Sequence, residues 1–122
     1  MQNFRELRVW ERSHELALKI YQLTSSFPYN ELYGLVSRIQ WADASIHSNI
    51  VEGSRRRSKR EFSQFLKIAF GSSCELEYQI FLAHDLRFVG DNEYCTLELL
   101  ISGVKIMLVG LTRKAQTSGP DY

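Results

Sequence analysis

The chain has 122 residues, 44% of them apolar and 24% charged, and fifteen Lys or Arg against fourteen Asp or Glu leave a net charge of +1. That is ordinary for a soluble globular protein and long enough to bury one real core. Cys74 and Cys95 stand far apart with no CxxC, which argues against a disulfide framework or a zinc site and for buried thiols in a reducing compartment.

The N-terminus, Met1 to Glu6, lacks the apolar core of a signal peptide, and no apolar run approaches the ~20 residues of a membrane span. A cytoplasmic protein with no membrane partner is expected. Four helical patterns then fill the chain. The first runs from Arg8 to Ser25, with Val9/Trp10, Ser13, Leu16/Ala17, Ile20/Tyr21 and Thr24 inward at steps of three and four. Pro28 ends it. The second runs from Glu31 to Glu52 on Leu35, Ile39, Ala42, Ile46 and Ile50, with Gly53 placed to terminate it in the left-handed conformation.

The third has the clearest start signal. Ser58-Lys59-Arg60-Glu61 reads as a capping box, in which the Ser58 hydroxyl accepts from the Glu61 N–H. Its stripe is Phe62, Phe65, Ala69, Ser72, Leu76, Ile80 and Ala83, widened by Leu66, Phe70, Cys74 and Phe81. Extension to Phe88 would make it roughly 45 Å long. Gly90 and Asp91 stop it and cap the fourth, Asn92 to Ala115, with Leu97, Leu100/Ile101, Val104, Met107/Leu108 and Leu111 inward. No strand alternation, hairpin turn or repeat occurs. Short connections predict an all-α fold, an up-down-up-down antiparallel four-helix bundle over residues 1–116, with 117–122 as a frayed tail.

One segment breaks the near-neutral balance. From Gly53 to Phe70 there are six basic residues and one acid, a local charge of +5, so the other 104 residues sum to −4. Arg55, Arg56, Arg57, Lys59 and Arg60 crowd the corner between the second and third helices, and Arg60, Gln64 and Lys67 share one helical face. An arginine can fork two donors onto one phosphate, and a lysine adds a point charge. No aromatic platform interleaves with the arginines, so backbone contact without base reading is the expected mode. The bland alternative is a solvated corner that keeps the protein soluble.

Other constellations carry less chemistry. Glu75 and Glu77 are two apart on a helix and cannot face each other, so Glu52, Glu75 and Glu77 read as structural, one of them paired with an arginine or with helix-end N–H groups. Glu11 to His14 is an ExxH, but di-iron bundles need two such motifs and two further glutamates, and no second ExxH exists. Gly71-Ser72-Ser73 sits mid-helix, where glycine costs about 1 kcal/mol against alanine. It permits a close helix contact, within the bundle or across a subunit interface. Tyr33 and Trp41 lie off the inward stripe. There is no phosphate-binding Gly loop and no nucleophile elbow. No cofactor, no metal and no enzymatic activity are expected.

Several segments, taken in order, resemble a known family: Phe4-Arg5-Glu6-Leu7-Arg8-Val9-Trp10, Phe27-Pro28, Tyr33-Gly34-Leu35, Ser45 to Gly53, and Phe65 to Glu77. The chain is similar over about residues 4 to 115 to the bacterial four-helix-bundle proteins encoded in intervening sequences of 23S ribosomal RNA genes. Those are sometimes called ribosomal proteins. A relative is the accessory variability protein of diversity-generating retroelements, which binds nucleic acid and a reverse transcriptase. The resemblance implies a ring-shaped homopentamer, a role in binding nucleic acid, and no catalysis. The chain departs from the family pattern at Gln40 and Trp41, where two basic residues are common, and at His47, where proline is common.

Two functions are therefore expected to compete. One is a homo-oligomer that binds RNA or DNA backbones through Arg55, Arg56, Arg57, Lys59, Arg60 and Lys67. The other is an oligomeric adaptor whose basic corner meets an acidic protein partner.

Overall fold

The computed structural model describes residues 3–117, and it contains helices and no strand among them. The long helices are α1 (Arg8–Thr24), α2 (Ser37–Ser54), α3 (Lys59–Asp85) and α4 (Asp91–Thr117). A 3-10 turn at Phe4–Glu6 leads into α1. A 3-10 turn at Tyr29–Glu31 and a π-helical turn at Leu32–Val36 lead into α2. Residues 118–122, most of the expected tail, lie outside the described residues.

Contacts between helices fix the direction of each. Gly53 near the end of α2 meets Phe62 and Phe65 near the start of α3, and Ser45 Oγ lies 2.7 Å from Ser72 Oγ midway along both. Lys105 Nζ donates to Glu77 Oε1 at 2.9 Å, and the rings of His84 and Tyr94 stack at 4.2 Å. Gln40 Nε2 donates to Thr24 Oγ1 at 3.1 Å, and the end of α1 lines one cleft with the start of α4. α2 and α3, and α3 and α4, therefore run antiparallel, and the end of α1 lies beside the starts of α2 and α4.

The core follows the inward stripes. Leu16, Ile20, Ile39, Ile46, Ile50, Phe62, Leu66, Leu76, Ile80, Ile101, Val104 and Leu108 are fully buried. Each such side chain contributes about 1.5–3 kcal/mol of transfer free energy. Two expected inward residues are not inside: Tyr21 and Phe81 are exposed. Each lies at the margin of its apolar arc, where the neighbouring helix is too far round to cover it.

Helix ends depart from expectation in three places. α2 begins at Ser37, six residues late, because the wider π turn puts the adjacent Leu35 and Val36 both into the core. Gly53 is not a left-handed terminator; it is inside α2, and a Cβ there would lie 2.8 Å from Phe65 Cβ and 3.0 Å from Phe62 Cδ1. Glycine is there to let α3 approach. α3 stops at Asp85, short of Phe88. Arg87 adopts φ 67°, the Arg87 N–H donates to the His84 carbonyl, and the Phe88 N–H donates to the Ala83 carbonyl, both at 2.9 Å. That is a Schellman end built on a non-glycine residue. The predicted start of α3 is present: the Glu61 N–H donates to Ser58 Oγ at 3.1 Å.

Two further expectations are corrected. Cys95 is exposed and Cys74 half-buried, so neither thiol is fully inside. And α4 is long and apolar enough by length and composition to cross a membrane, although only 22% of its apolar window is buried in the bundle. Glu98 and Lys105 interrupt it, which hid the run from a reading that sought uninterrupted apolar residues.

Candidate nucleic-acid interface

The α2–α3 corner is built by four residues between helices. α2 ends at Ser54, whose hydroxyl donates to the Val51 carbonyl at 2.7 Å, and α3 starts on the Ser58 cap. Between them the chain turns with Arg55 and Arg57 exposed. Arg60 and Lys67 are exposed one and two turns further along α3. These four cations have no ion pair among the described residues.

Arg56 and Lys59 differ. Arg56 Nη2 bonds Glu52 Oε1 at 2.6 Å, its guanidinium lies 4.8 Å over the Phe65 ring, and its Nε is buried without a hydrogen-bond partner. Arg56 therefore straps the end of α2 to α3. The Phe65 ring is covered by that guanidinium. Lys59 is half-buried.

The fold adds cations that sequence proximity did not group with the corner. Because the helices alternate, the start of α1, the end of α2, the start of α3 and the end of α4 share one pole. Lys67 of α3 and Arg113 of α4 wall one cavity of about 180 Å³, floored by Phe70, Val109 and Thr112. Arg5, Arg8 and Arg12 stand at the start of α1, and Lys114 beside Arg113. Eleven of the fifteen Lys and Arg residues fall in this half, with Glu6, Glu11, Glu15, Glu52 and Glu61, a balance of +6. The other half holds four cations and eight acids among the described residues, a balance of −4. The alternating helix order was the signal for this grouping, and it was legible once four helices were counted.

The acidic candidates are absorbed by structure. Glu52 pairs with Arg56, Glu77 with Lys105, and Glu75 Oε1 accepts from Gln79 Nε2 at 3.1 Å. The Glu77 hydrogen bond holds the Lys105 ammonium above its usual pKa, more strongly than burial opposes it. The ExxH does not converge: His14 stacks on Trp10 at 5.1 Å, and no group of three potential ligands occurs among the described residues. Gly71 faces open space, Ser72 bonds Ser45, and Ser73 bonds the Phe70 carbonyl. Sequence reasoning missed Asp43. It is fully buried on α2, neither of its oxygens has a hydrogen-bond partner among the described residues, and His47 Nε2 lies 3.8 Å from its Oδ2.

No curated protein matches the chain. Among solved structures it is similar to a protein of unknown function from the S23 ribosomal protein family of Bacteroides thetaiotaomicron. That match has a TM-score of 0.79 and 24% identity, and it covers 86% of this chain and 98% of the other. At that identity the likeness establishes the four-helix fold. The family model described as 23S rRNA-intervening sequence protein matches residues 5–110, nearly the full length of the bundle. The chain therefore belongs to the 23S rRNA-intervening sequence protein family.

Proposed function

We propose that this chain is a non-enzymatic, homo-oligomeric bundle protein that binds RNA or DNA backbones without reading sequence. Arg55, Arg57, Arg60 and Lys67 make the phosphate contacts, and Arg56 and Lys59 order the corner that presents them. The observation that carries the reading is the charge polarity, +6 in one half against −4 in the other. A pole of that kind steers phosphate towards one end of the molecule. The family resemblance adds a ring of five copies, in which individually weak contacts add by multivalency. A cytoplasmic location goes with this reading, since it keeps the two free thiols reduced.

The test is binding to a mixed panel of RNA and duplex DNA across a salt titration. Wild type binds all of them, with affinity falling steeply as salt rises. Replacing Arg55, Arg57 and Arg60 by Ala lowers the log–log salt slope by about 2–3, because each phosphate left without its cation takes away about 0.7–0.9. An unchanged slope rules the corner out.

The second reading is an adaptor with an acidic protein partner. It is favoured by Trp41, 76% exposed where the family pattern is basic, and by exposed Tyr29 and Tyr33. Recovery of one defined acidic partner after nuclease treatment, with no binding to the nucleic-acid panel, selects this reading.

A further inference from the structure

Where α1 ends and α2 begins, a groove of about 460 Å³ opens at the pole opposite the basic corner. Phe27 and Val36 are buried and form its floor, and Tyr21, Pro28, Tyr29 and Leu32 stand exposed around it. Tyr29 is 83% and Tyr21 55% exposed, so the bundle core uses neither ring.

The groove is braced from behind. Phe27 packs on Phe88 with ring centroids 5.5 Å apart, and Gln40 Nε2 donates to Thr24 Oγ1 at 3.1 Å across the two helices. The π turn that sends Leu35 and Val36 inward leaves Leu32 outside. A surface fixed in this way loses little freedom when something binds to it, which favours affinity.

The chemistry of the groove narrows its occupant. The two tyrosines offer flat apolar faces with a hydroxyl at each tip, and Gln40, its Nε2 already committed, offers Oε1 as an acceptor. A segment in the polyproline conformation suits such walls. Its pyrrolidine rings pack on aromatic faces, and its carbonyls, unpaired within the segment, accept from phenols. A helical segment has spent its carbonyls on itself. Charge sets the flanks. No Lys or Arg lines the groove, Glu31 stands in the turn between Tyr29 and Leu32, and this half of the molecule carries −4 among the described residues. A carboxylate and aromatic faces both attract a guanidinium or ammonium group.

We propose that this groove docks an extended, proline-containing segment of another protein in which Arg or Lys flanks the prolines. No proline of this chain is flanked by a basic residue, so the chain does not supply the segment itself. The proposal goes beyond the phosphate reading and is independent of it, because the groove and the basic corner lie at opposite poles. It holds for any number of copies. The two poles then take partners of opposite kind.

The experiment is anisotropy of a labelled peptide titrated with the full chain, freed of nucleic acid, with far-ultraviolet circular dichroism as the folding control. Three peptides serve as probes: a run of prolines with two arginines at each end, the same run with aspartates at the ends, and the arginine peptide with glycines in place of the prolines. The arginine–proline peptide is expected to bind with a Kd below about 1 mM, and the other two at least about tenfold more weakly. Tyr21→Ala and Tyr29→Ala each weaken it about tenfold without loss of helicity, because both rings lie outside the core. Tyr78→Ala, which removes a ring 61% exposed on α3, leaves it unchanged. Glu31→Lys weakens the arginine–proline peptide and tightens the aspartate one. No binding of the arginine–proline peptide overturns the proposal. So does equal binding of the aspartate or glycine peptide, or undiminished binding by Tyr29→Ala. Loss of RNA and DNA binding with the peptide result intact defeats the phosphate reading and leaves this one standing.

Discussion

Single residues carry the tightest constraints in this bundle. Gly53 is the sharpest, since the Cβ of an alanine would sit 2.8 Å from Phe65 Cβ, an atom too close to its backbone to swing away. Gly53→Ala gains about 1 kcal/mol of helix propensity and loses about 1–3 kcal/mol to overpacking, so a net loss of about 1 kcal/mol is expected in urea unfolding. A stabilised variant would show that α3 can retreat. Asp43 pulls the other way. A carboxylate sealed from water with only His47 at 3.8 Å costs more than an apolar group of similar shape. Asp43→Leu is expected to raise stability by about 1–2 kcal/mol by the same measurement, and a fall would show that the carboxylate is compensated. Both sites were hard to see in the sequence for a physical reason. Glycine after a helical pattern signals a terminator more often than a close approach. An aspartate on a helix announces burial only when its neighbours on other helices are known.

At the scale of elements, legibility tracked how local the interactions are. The Ser58–Glu61 cap is a four-residue event, and it was readable before any fold was assumed. The end of α3 was not, because Arg87 takes the left-handed conformation without the glycine that normally signals it. The π turn before α2 was also hidden, since it answers to the core's demand for both Leu35 and Val36. The seam between α3 and α4 makes a prediction of its own. The Lys105 ammonium is raised by its hydrogen bond to Glu77. The Tyr94 phenol is raised by burial, then by its hydrogen bond to Glu98. In both cases the proton is held more tightly in the fold than in the unfolded chain. Their contributions are complete below the ordinary values of 10.0 and 10.5 and are lost as pH climbs through the raised ones. Thermal unfolding followed from pH 8 to 12 should be level to about pH 10 and fall beyond it, with Lys105→Met shallower than wild type. Equal slopes would place the alkaline loss elsewhere.

At the scale of the whole molecule, the order of four helices does what no single motif does. It gathers basic residues from the start, middle and end of the chain into one pole and leaves acids at the other. The fold class and four-helix pattern were legible because periodic apolar stripes report them directly. The corner was legible as a charge run. Its split into a strapping Arg56 and outward Arg55, Arg57 and Arg60 was not, because that depends on where Phe65 and Glu52 come to rest.

The polarity has a consequence for stoichiometry. On the reading proposed above, a rod with one cationic tip would meet a polyanion end-on, with its cross-section as its footprint. Two helices abreast span about 20–24 Å, and a duplex rises 3.4 Å per base pair, so one chain would cover about six or seven base pairs. α3, with 27 residues, makes the rod about 40 Å tall. A strand coated in this way would display a canopy of acidic tips. On the proposed reading, that acidic canopy would itself attract the basic pole of a further chain, so coverage would not stop at one layer.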